Sequence, residues 1–571
     1  MTQIKPITSN DSNFSTKKVT LDDIDEKNES IFLKFDTDSS KSISDDEIRA
    51  QGFVGELFNK AKQKLIQIFG VNSIENLKGK DGYFYYEGNN REIVTAQKFD
   101  DIPTGSHKGV RDARGYDISQ LNLSRKELLD LCIDKTTVLS AEQKAIIDEV
   151  KEKAKDPGLG VRSLHKQGFT GKGVRMAIID QPIGKHKEYS SRIVKNVDIN
   201  TNDVPSGWRQ ASMHAAAVTS IAVGETVGVA PEAEVEFYSA VNLSYDPKEI
   251  QEYNDRINNE IKKHPNNSKY LQEQLQLFKR KGCCPSNKPY VDAINQILDN
   301  NEKVPENEKV TVISISWGFD EFAPGYEDLK KAIDRAKQQG VFIVSTALSE
   351  HYGFNTCGAN RNPDGNLDDP DNYEAGAFFK NRSEKPDEQY RKELLLVPMD
   401  HRTVADYTDG ESYRYEGNDG GMSWSTPWLA SMYALAKQAD SNITPEKFWA
   451  IALLQSDECN NNDSGKNVGR IINPQKLIDE VIKQKDNPEP IILESNSFKL
   501  EQKYVQTRQN DTQLLQLQKP STDELKTVVS KKYNELKEKY KSDNLDIKVE
   551  ITSTDNMNYT ISYTVQTKTN I

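Results

Sequence analysis

Three short stretches of the chain carry residue types that together can perform acyl transfer. In GGMSWSTP, Ser423 follows two glycines and opens an apolar run that reads as a buried helix. A serine oxygen at a helix N-terminus lies beside free backbone N–H groups and the positive end of the helix dipole, which stabilise a developing oxyanion. Gly420 and Gly421 let a substrate backbone come close, and Pro427 is expected in the first helical turn, where its missing N–H costs nothing. An ordinary serine N-cap after a glycine turn fits the same pattern, so partners are needed. Two lie upstream. VRMAIIDQPIG ends an apolar strand on Asp180; at the carboxyl end of a parallel strand a carboxylate faces the ligand crevice, and a loop cap fits there too. SMHAAAVTSIAV places His214 at the head of an Ala- and Val-rich helix, where a structural histidine is equally at home. Serine chemistry requires one imidazole as general base and one carboxylate to orient it, and the chain has only seven histidines to choose from.

Positioning these groups falls to a run of strands and helices between about 158 and 456. Short apolar strands (VRMAIID, VEFYSAV, KVTVISISWG, GVFIVSTAL) alternate with amphipathic helices (KPYVDAINQILDNN, YEDLKKAIDRAKQQ). Alternation at this spacing predicts an α/β fold, a parallel sheet with helices on both faces. The polar segment 246–282 reads as a solvated helical insertion. Upstream, residues 51–155 read as a small α+β module, with helical patterns (VGELFNKAKQKLIQIF, SAEQKAIIDEVKEKAKD) around a hairpin candidate, YFYYEGNNREIV. Asp156, Pro157 and Gly158 form a breaker cluster that opens the large unit, 156–486. Past 487 a helix (TDELKTVVSKKYNELKEKY) and two alternating strands (LDIKVEIT, YTISYTVQT) predict a small C-terminal α+β module, 487–571.

With 571 residues, 35% of them hydrophobic, the chain is long enough for one large domain and one or two smaller ones. Its 88 acidic and 75 basic side chains give a net charge of −13, which argues against nucleic-acid binding because phosphate contacts need a basic surface. No apolar run is long enough to span a bilayer, and MTQIKPITSNDSNFSTKK lacks a signal-peptide core, so the expectation is a cytoplasmic protein that binds no membrane. The five cysteines form neither a disulfide framework nor a Cys-x-x-Cys zinc pair, and Cys283 and Cys284 are expected in a turn. No cofactor is expected for catalysis.

A second constellation lies in the N-terminal 50 residues. In FDTDSSKSISDDEI, Asp36, Asp38 and Ser40 occupy positions 1, 3 and 5 of a twelve-residue loop, Ser42 and Ser44 positions 7 and 9, Ile43 the apolar position 8, and Glu47 position 12. This oxygen-ligand spacing resembles an EF-hand calcium loop and implies Ca2+ held for a structural or regulatory purpose. Lys41 replaces the usual turn glycine, and a capping box of Ser44 with Glu47 also fits.

From about 160 to 456 the chain resembles the subtilisin-like serine peptidases in five stretches that follow the family's order. LHKQGFTGKGVRMAIIDQP looks like the segment leading to the family's aspartate, HAAAV with GVAPEAEV like its histidine helix and following turn, VISISWG like the strand that pairs with substrate, and GGMSWSTP like the nucleophile signature. The resemblance implies a serine endopeptidase in which Ser423 attacks, His214 takes its proton and Asp180 orients the imidazole, in the order Asp, His, Ser. It also implies a polypeptide substrate lying as a strand against Ser316, Trp317 and Gly318. The sequence departs from the pattern at Gln181 and Pro182 after the aspartate, at Ala215 and Ala216 after the histidine, and at the oxyanion donor. Counting along GVFIVSTALSEHYG puts the family's asparagine position on Ser349, with Asn355 and Asn360 as other donors. By the same resemblance, the 51–155 module takes the place of a folding aid or inhibitory prosegment. An inert peptide-binding scaffold and a calcium-responsive regulatory protein are the alternative functions.

Overall fold

The computed structural model describes residues 93–568, with breaks at 104–110, 201–203, 206–208, 266–267, 377–392, 418–420, 462–465, 487–489 and a few short gaps beyond 500, together with the strand pair at 19–20 and 42–43. Asp36, Asp38, Ser40 and Glu47 therefore lie outside the described residues, as does most of the YFYYEGNNREIV segment. Ser42–Ile43 pairs antiparallel with Val19–Thr20, setting Ile43 against Val19. The hairpin expected over 83–94 lies almost wholly outside the described residues; Val94–Thr95 pairs in parallel with Tyr116–Asp117.

The N-terminal module carries helix α1 (Ala141–Lys153), opened by a capping box of Ser140 and Gln143. The large unit follows in chain order. It contains β1 (Arg175–Asp180), β2 (Ile193–Asp198), α2 (Met213–Val223), β3 (Glu234–Ser239), the insertion helices α3 (Pro247–Lys263) and α4 (Lys269–Lys281), and α5 (Lys288–Asn301). Then come β4 (Val310–Ile315), α6 (Tyr326–Gln338), β5 (Phe342–Ser345) and α7 (Leu348–Tyr352). Five strands form one parallel sheet in the order β5-β4-β1-β3-β2. The apolar runs read as strands lie here because a parallel sheet covered on both faces buries every side chain of its inner strands. The order reverses beside β1, with β2 and β3 to one side and β4 and β5 to the other, so the crevice at the carboxyl ends of β1 and β4 is where a ligand belongs.

A second sheet contains β6 (Asn355–Arg361), β7 (Tyr373–Ala375) and β8 (Leu394–Pro398). After the antiparallel hairpin β9 (Arg402–Ala405) and β10 (Tyr413–Glu416) come α8 (Met422–Ala439) and α9 (Pro445–Leu454), and the sheet is completed by β11 (Asp457–Asn461) and β12 (Lys466–Ile471). Helix α8 packs on both sheets and on α2. Its stretch Trp424–Ala436 is wholly buried, as is Ala215–Val223 of α2. The small residues of α2 permit that approach, since alanines leave room for a neighbouring backbone.

The insertion is not merely solvated. Tyr253, Ile257 and Leu275 make a small core with Cys284, and Phe322 packs against it. Cys284–Pro285 forms a short strand with Leu243–Ser244 rather than a turn, and the five cysteines are buried and in no disulfide. Beyond α10 (Pro474–Asp486), the C-terminal sheet includes β13 (Ile492–Lys499), which the polar sequence hid. Helix α11 (Thr522–Tyr540) covers that sheet, whose other strands are β14 (Leu545–Ser553) and β15 (Tyr559–Thr567). Lys539 at the end of α11 pairs with Glu393 and Glu494.

The N-terminal module docks through backbone and charge together. Ile133 and Tyr415 exchange two backbone hydrogen bonds of 3.0 and 2.8 Å. Arg361, 1% exposed, donates to the carbonyls of His401, Asp156 and Ala154 at 2.9, 2.7 and 2.9 Å. A buried guanidinium is tolerable only with its donors satisfied. Arg361→Met strands buried carbonyls at the junction and is expected to cost about 3 kcal/mol or more, read as a lower denaturant midpoint. His401 is buried in the same junction, where the Tyr415 hydroxyl donates to its Nδ1 at 2.9 Å. Burial, then the Arg361 charge, push its imidazole from the ordinary 6.5 to about 3. Between those values the unfolded chain binds a proton that the native protein refuses. Stability from this site is therefore intact above the unfolded value and falls as pH drops toward 3. His401→Asn, which tolerates the left-handed backbone (φ 52°), is expected to make denaturation midpoints between pH 7 and 5 less pH-dependent.

Candidate active site

Asp180 closes β1 and His214 opens α2, and the fold brings them into contact. His214 Nδ1 donates to Asp180 Oδ1 and Oδ2 at 2.8 and 3.0 Å. The carboxylate side chain is 5% exposed and the imidazole 25%, so the carboxylate is withdrawn from water while the ring edge stays accessible. With Nδ1 as donor, Nε2 is left as the acceptor, the tautomer a general base requires. Burial and the Asp180 charge push the neighbouring Tyr290 hydroxyl well above its ordinary value, keeping it a neutral phenol.

Gln181, which departs from the family pattern, helps hold the histidine. Its backbone N–H donates to Asp180 Oδ1 at 2.8 Å, and its side-chain oxygen accepts from Ser212 Oγ at 2.5 Å. Ser212 is the N-cap of α2 and accepts from the His214 backbone N–H at 3.1 Å. One residue thus ties the carboxylate loop to the histidine's helix cap. The sequence signalled it only as an anomaly.

Ser423 lies in the first turn of α8, after Gly421 (φ 59°), and no side chain caps this end. Its hydroxyl donates to the Ser316 carbonyl at 3.2 Å, and Ser316 Oγ donates back to the Ser423 carbonyl at 2.8 Å. Trp424 sets its ring 5.2 Å, centroid to centroid, from that of His214. The carboxylate and imidazole are therefore in contact, the imidazole ring lies against Trp424, and the hydroxyl of the preceding Ser423 is turned to Ser316. In active sites, contacts of this kind are often loose when no substrate is bound.

Pro427 corrects an expectation. It falls in the second turn of α8 rather than the first, so the bond its N–H would give to the Ser423 carbonyl is missing. That carbonyl is the one Ser316 Oγ satisfies. Trp317, 44% exposed, presents its ring to solvent beside this contact, and a Cβ on Gly318 would lie 3.2 Å from Thr346 Oγ1.

Ser349 is the other correction. Strand β5 stops at Ser345, and α7 carries Ser349 to an exposed groove shared with Asn355 and with Glu535 and Lys539 of α11. No hydrogen bond joins it to Ser423 or Ser316. Asn360 is buried in β6 with its Oδ1 unpartnered. Among the described residues no group of three or more His, Cys, Asp or Glu side chains is arranged to hold a metal ion.

Residues 171–377 match the subtilase family. The matched segment has the subtilisin-like α/β fold; it takes in Asp180, His214 and Ser316 and stops short of Ser423. Among solved structures, fervidolysin from Fervidobacterium pennivorans, a keratinolytic enzyme related to subtilisin, is 14% identical over 59% of this chain, with a TM-score of 0.38, and this chain spans 46% of its length. A cold-adapted subtilisin-like serine proteinase is 16% identical over 53% of this chain and 89% of its own, with a TM-score of 0.33. The PatG macrocyclase in complex with peptide is 13% identical over 57% of this chain and 96% of its own, with a TM-score of 0.35. No curated protein matches the chain by sequence.

The reciprocal contact between the two serines of this subtilase-like unit generates a test. Ser316→Ala is expected to cost about 1–3 kcal/mol by stranding the Ser423 carbonyl. Pro427→Ala restores a backbone donor to that carbonyl. The double variant should therefore be more stable than the sum of the two single effects predicts, a coupling measurable by chemical denaturation.

Proposed function

We propose that this protein is a serine endopeptidase that hydrolyses peptide bonds through an acyl-enzyme, with Ser423 as nucleophile, His214 as general base and Asp180 as the group that orients it. The observation carrying this reading is the two-oxygen contact of the Asp180 carboxylate with His214 Nδ1 at the carboxyl end of β1, with the His214 ring against that of Trp424, the residue after Ser423 in the first turn of α8. An extended substrate adds along Ser316 to Gly318. Its backbone N–H takes the Ser316 carbonyl, displaces the Ser423 hydroxyl and frees it to turn toward His214 Nε2. The proton then passes to His214 as Oγ attacks, and Asp180 stabilises the imidazolium.

Labelling with a fluorophosphonate probe tests this. The parent is expected to react and Ser423→Ala to remain unlabelled; equal absence from both points to an inert peptide-binding scaffold. Asp180→Asn, which reverses the imidazole tautomer, is expected to lower kcat on the order of 10⁴-fold on a peptide substrate.

The calcium reading of Asp36, Asp38, Ser40, Ser42 and Glu47 is retained as a proposal. Pairing of Ile43 with Val19 supports it, since position 8 of such a loop lends its backbone to a short strand. Calorimetric titration of the full chain is expected to show weak Ca2+ binding, with Kd on the order of 10⁻⁴ M, lost in Glu47→Gln.

A further inference from the structure

A tetrahedral intermediate at Ser423 needs two or more donors aimed at its oxygen. The first turn of α8 supplies the Ser423 backbone N–H, which has no intrahelical acceptor at that position and no side-chain cap. Ser349, the residue counted to the second donor's place, is turned into the groove against α11.

A side-chain N–H on the residue next to Ser423 also lacks an acceptor. The indole Nε1 of Trp424 is buried without a hydrogen-bond partner, in a side chain that is 2% exposed. The contrast within the helix is direct, for Trp428 one turn later gives its Nε1 to the Pro157 carbonyl at 3.1 Å. Buried indole N–H groups ordinarily find a partner, and an orphan calls for a reason. Trp424 is adjacent to Ser423 in sequence, and its ring sits 5.2 Å from that of His214. The ring that carries the orphan therefore lies against the ring of the base, and bulk water does not compete for its N–H.

We propose that the Trp424 indole N–H is the second oxyanion donor, acting with the Ser423 backbone N–H; the proposal rests on the peptidase reading above. In the step it serves, the Ser423 Oγ–carbon bond forms, the Oγ proton moves to His214 Nε2, and the carbonyl π pair becomes the lone pair of the oxyanion. Both N–H groups donate to that oxygen. When the oxyanion collapses, the carbon–nitrogen bond breaks and the departing amine takes the proton from His214. The indole changes neither bonds nor charge, so its contribution is confined to the charged oxygen.

The test separates this donor from the peptidase reading. Trp424→Phe keeps an aromatic ring and removes the N–H; kcat is expected to fall about 100- to 1000-fold with KM within about two-fold. A kcat within about three-fold of the parent overturns the proposal. Because the variant also alters packing, a second readout uses the intact parent. The chain has five tryptophans, and the indole 1H–15N resonance missing from Trp424→Phe identifies the group. On phosphonylation of Ser423 that resonance is expected to move downfield, and an unmoved resonance in a fully labelled parent overturns the donor while leaving the nucleophile intact. Failure of the parent to label at all overturns both.

Discussion

The contact between Ser316 and Ser423 is the constraint on which the site depends. These residues are 107 positions apart, one just past the end of β4 and the other in the first turn of α8. Helix starts are held by few bonds because their first backbone groups lack partners, and α8 has no capping side chain. Pro427 loosens it further by withholding one donor. The freed carbonyl accepts from Ser316 Oγ, which anchors the helix start to the sheet edge. A helix defect and a strand-end serine thus become one joint, and the serine hydroxyl is held against the end of β4.

The opposite wall is built by burial. Asp180 sits at the end of a strand whose inner residues are all buried, and its carboxylate accepts from the Gln181 N–H and from His214 Nδ1. At low dielectric such charge-assisted bonds are shorter and stronger than neutral ones. The cap Ser212 and the small residues of α2 then fix the direction of the imidazole. Behind it, Arg414 and Glu416 form a buried ion pair of 2.5 Å. The arginine reaches Met213 Sδ at 3.3 Å, and the Cys132 thiol of the N-terminal module lies 3.5 Å from Glu416. The docked module therefore belongs to the layer of contacts that backs the histidine helix.

Strands β1, β3, β4 and β5 were legible because a parallel sheet buried on both faces leaves continuous apolar runs, and α5 and α6 because one face of each is apolar. Asp180, His214 and Ser423 were singled out by type and by expected position, and the fold sets them at a strand end and in two first helical turns. What could not be read were the places where geometry departs from counting. Ser349 was sought by position along β5, but the strand ends four residues earlier and a new helix turns the chain away. Pro427 was placed in the first turn because nothing in the sequence marks Met422 as the first helical residue. Strand β13 is polar because one face of its sheet meets water, and its alternation is weak. The partnership of Gln181 with Ser212 spans 31 residues and has no local signature.

Resting geometry also bears on how the serine is released. At 3.2 Å the bond from Ser423 Oγ to the Ser316 carbonyl is long for a hydroxyl donor, whose usual separation is about 2.7–2.8 Å. A neutral hydrogen bond contributes only about 0.5–1.5 kcal/mol net, and a stretched one less. A substrate N–H approaching the same carbonyl exchanges one neutral bond for another, so displacing the hydroxyl costs little. The return bond from Ser316 Oγ, at 2.8 Å, engages the Ser423 backbone and is untouched by that exchange. The Ser423 side chain is thus free to rotate while its helix stays anchored, the division of labour that its proposed role as nucleophile requires.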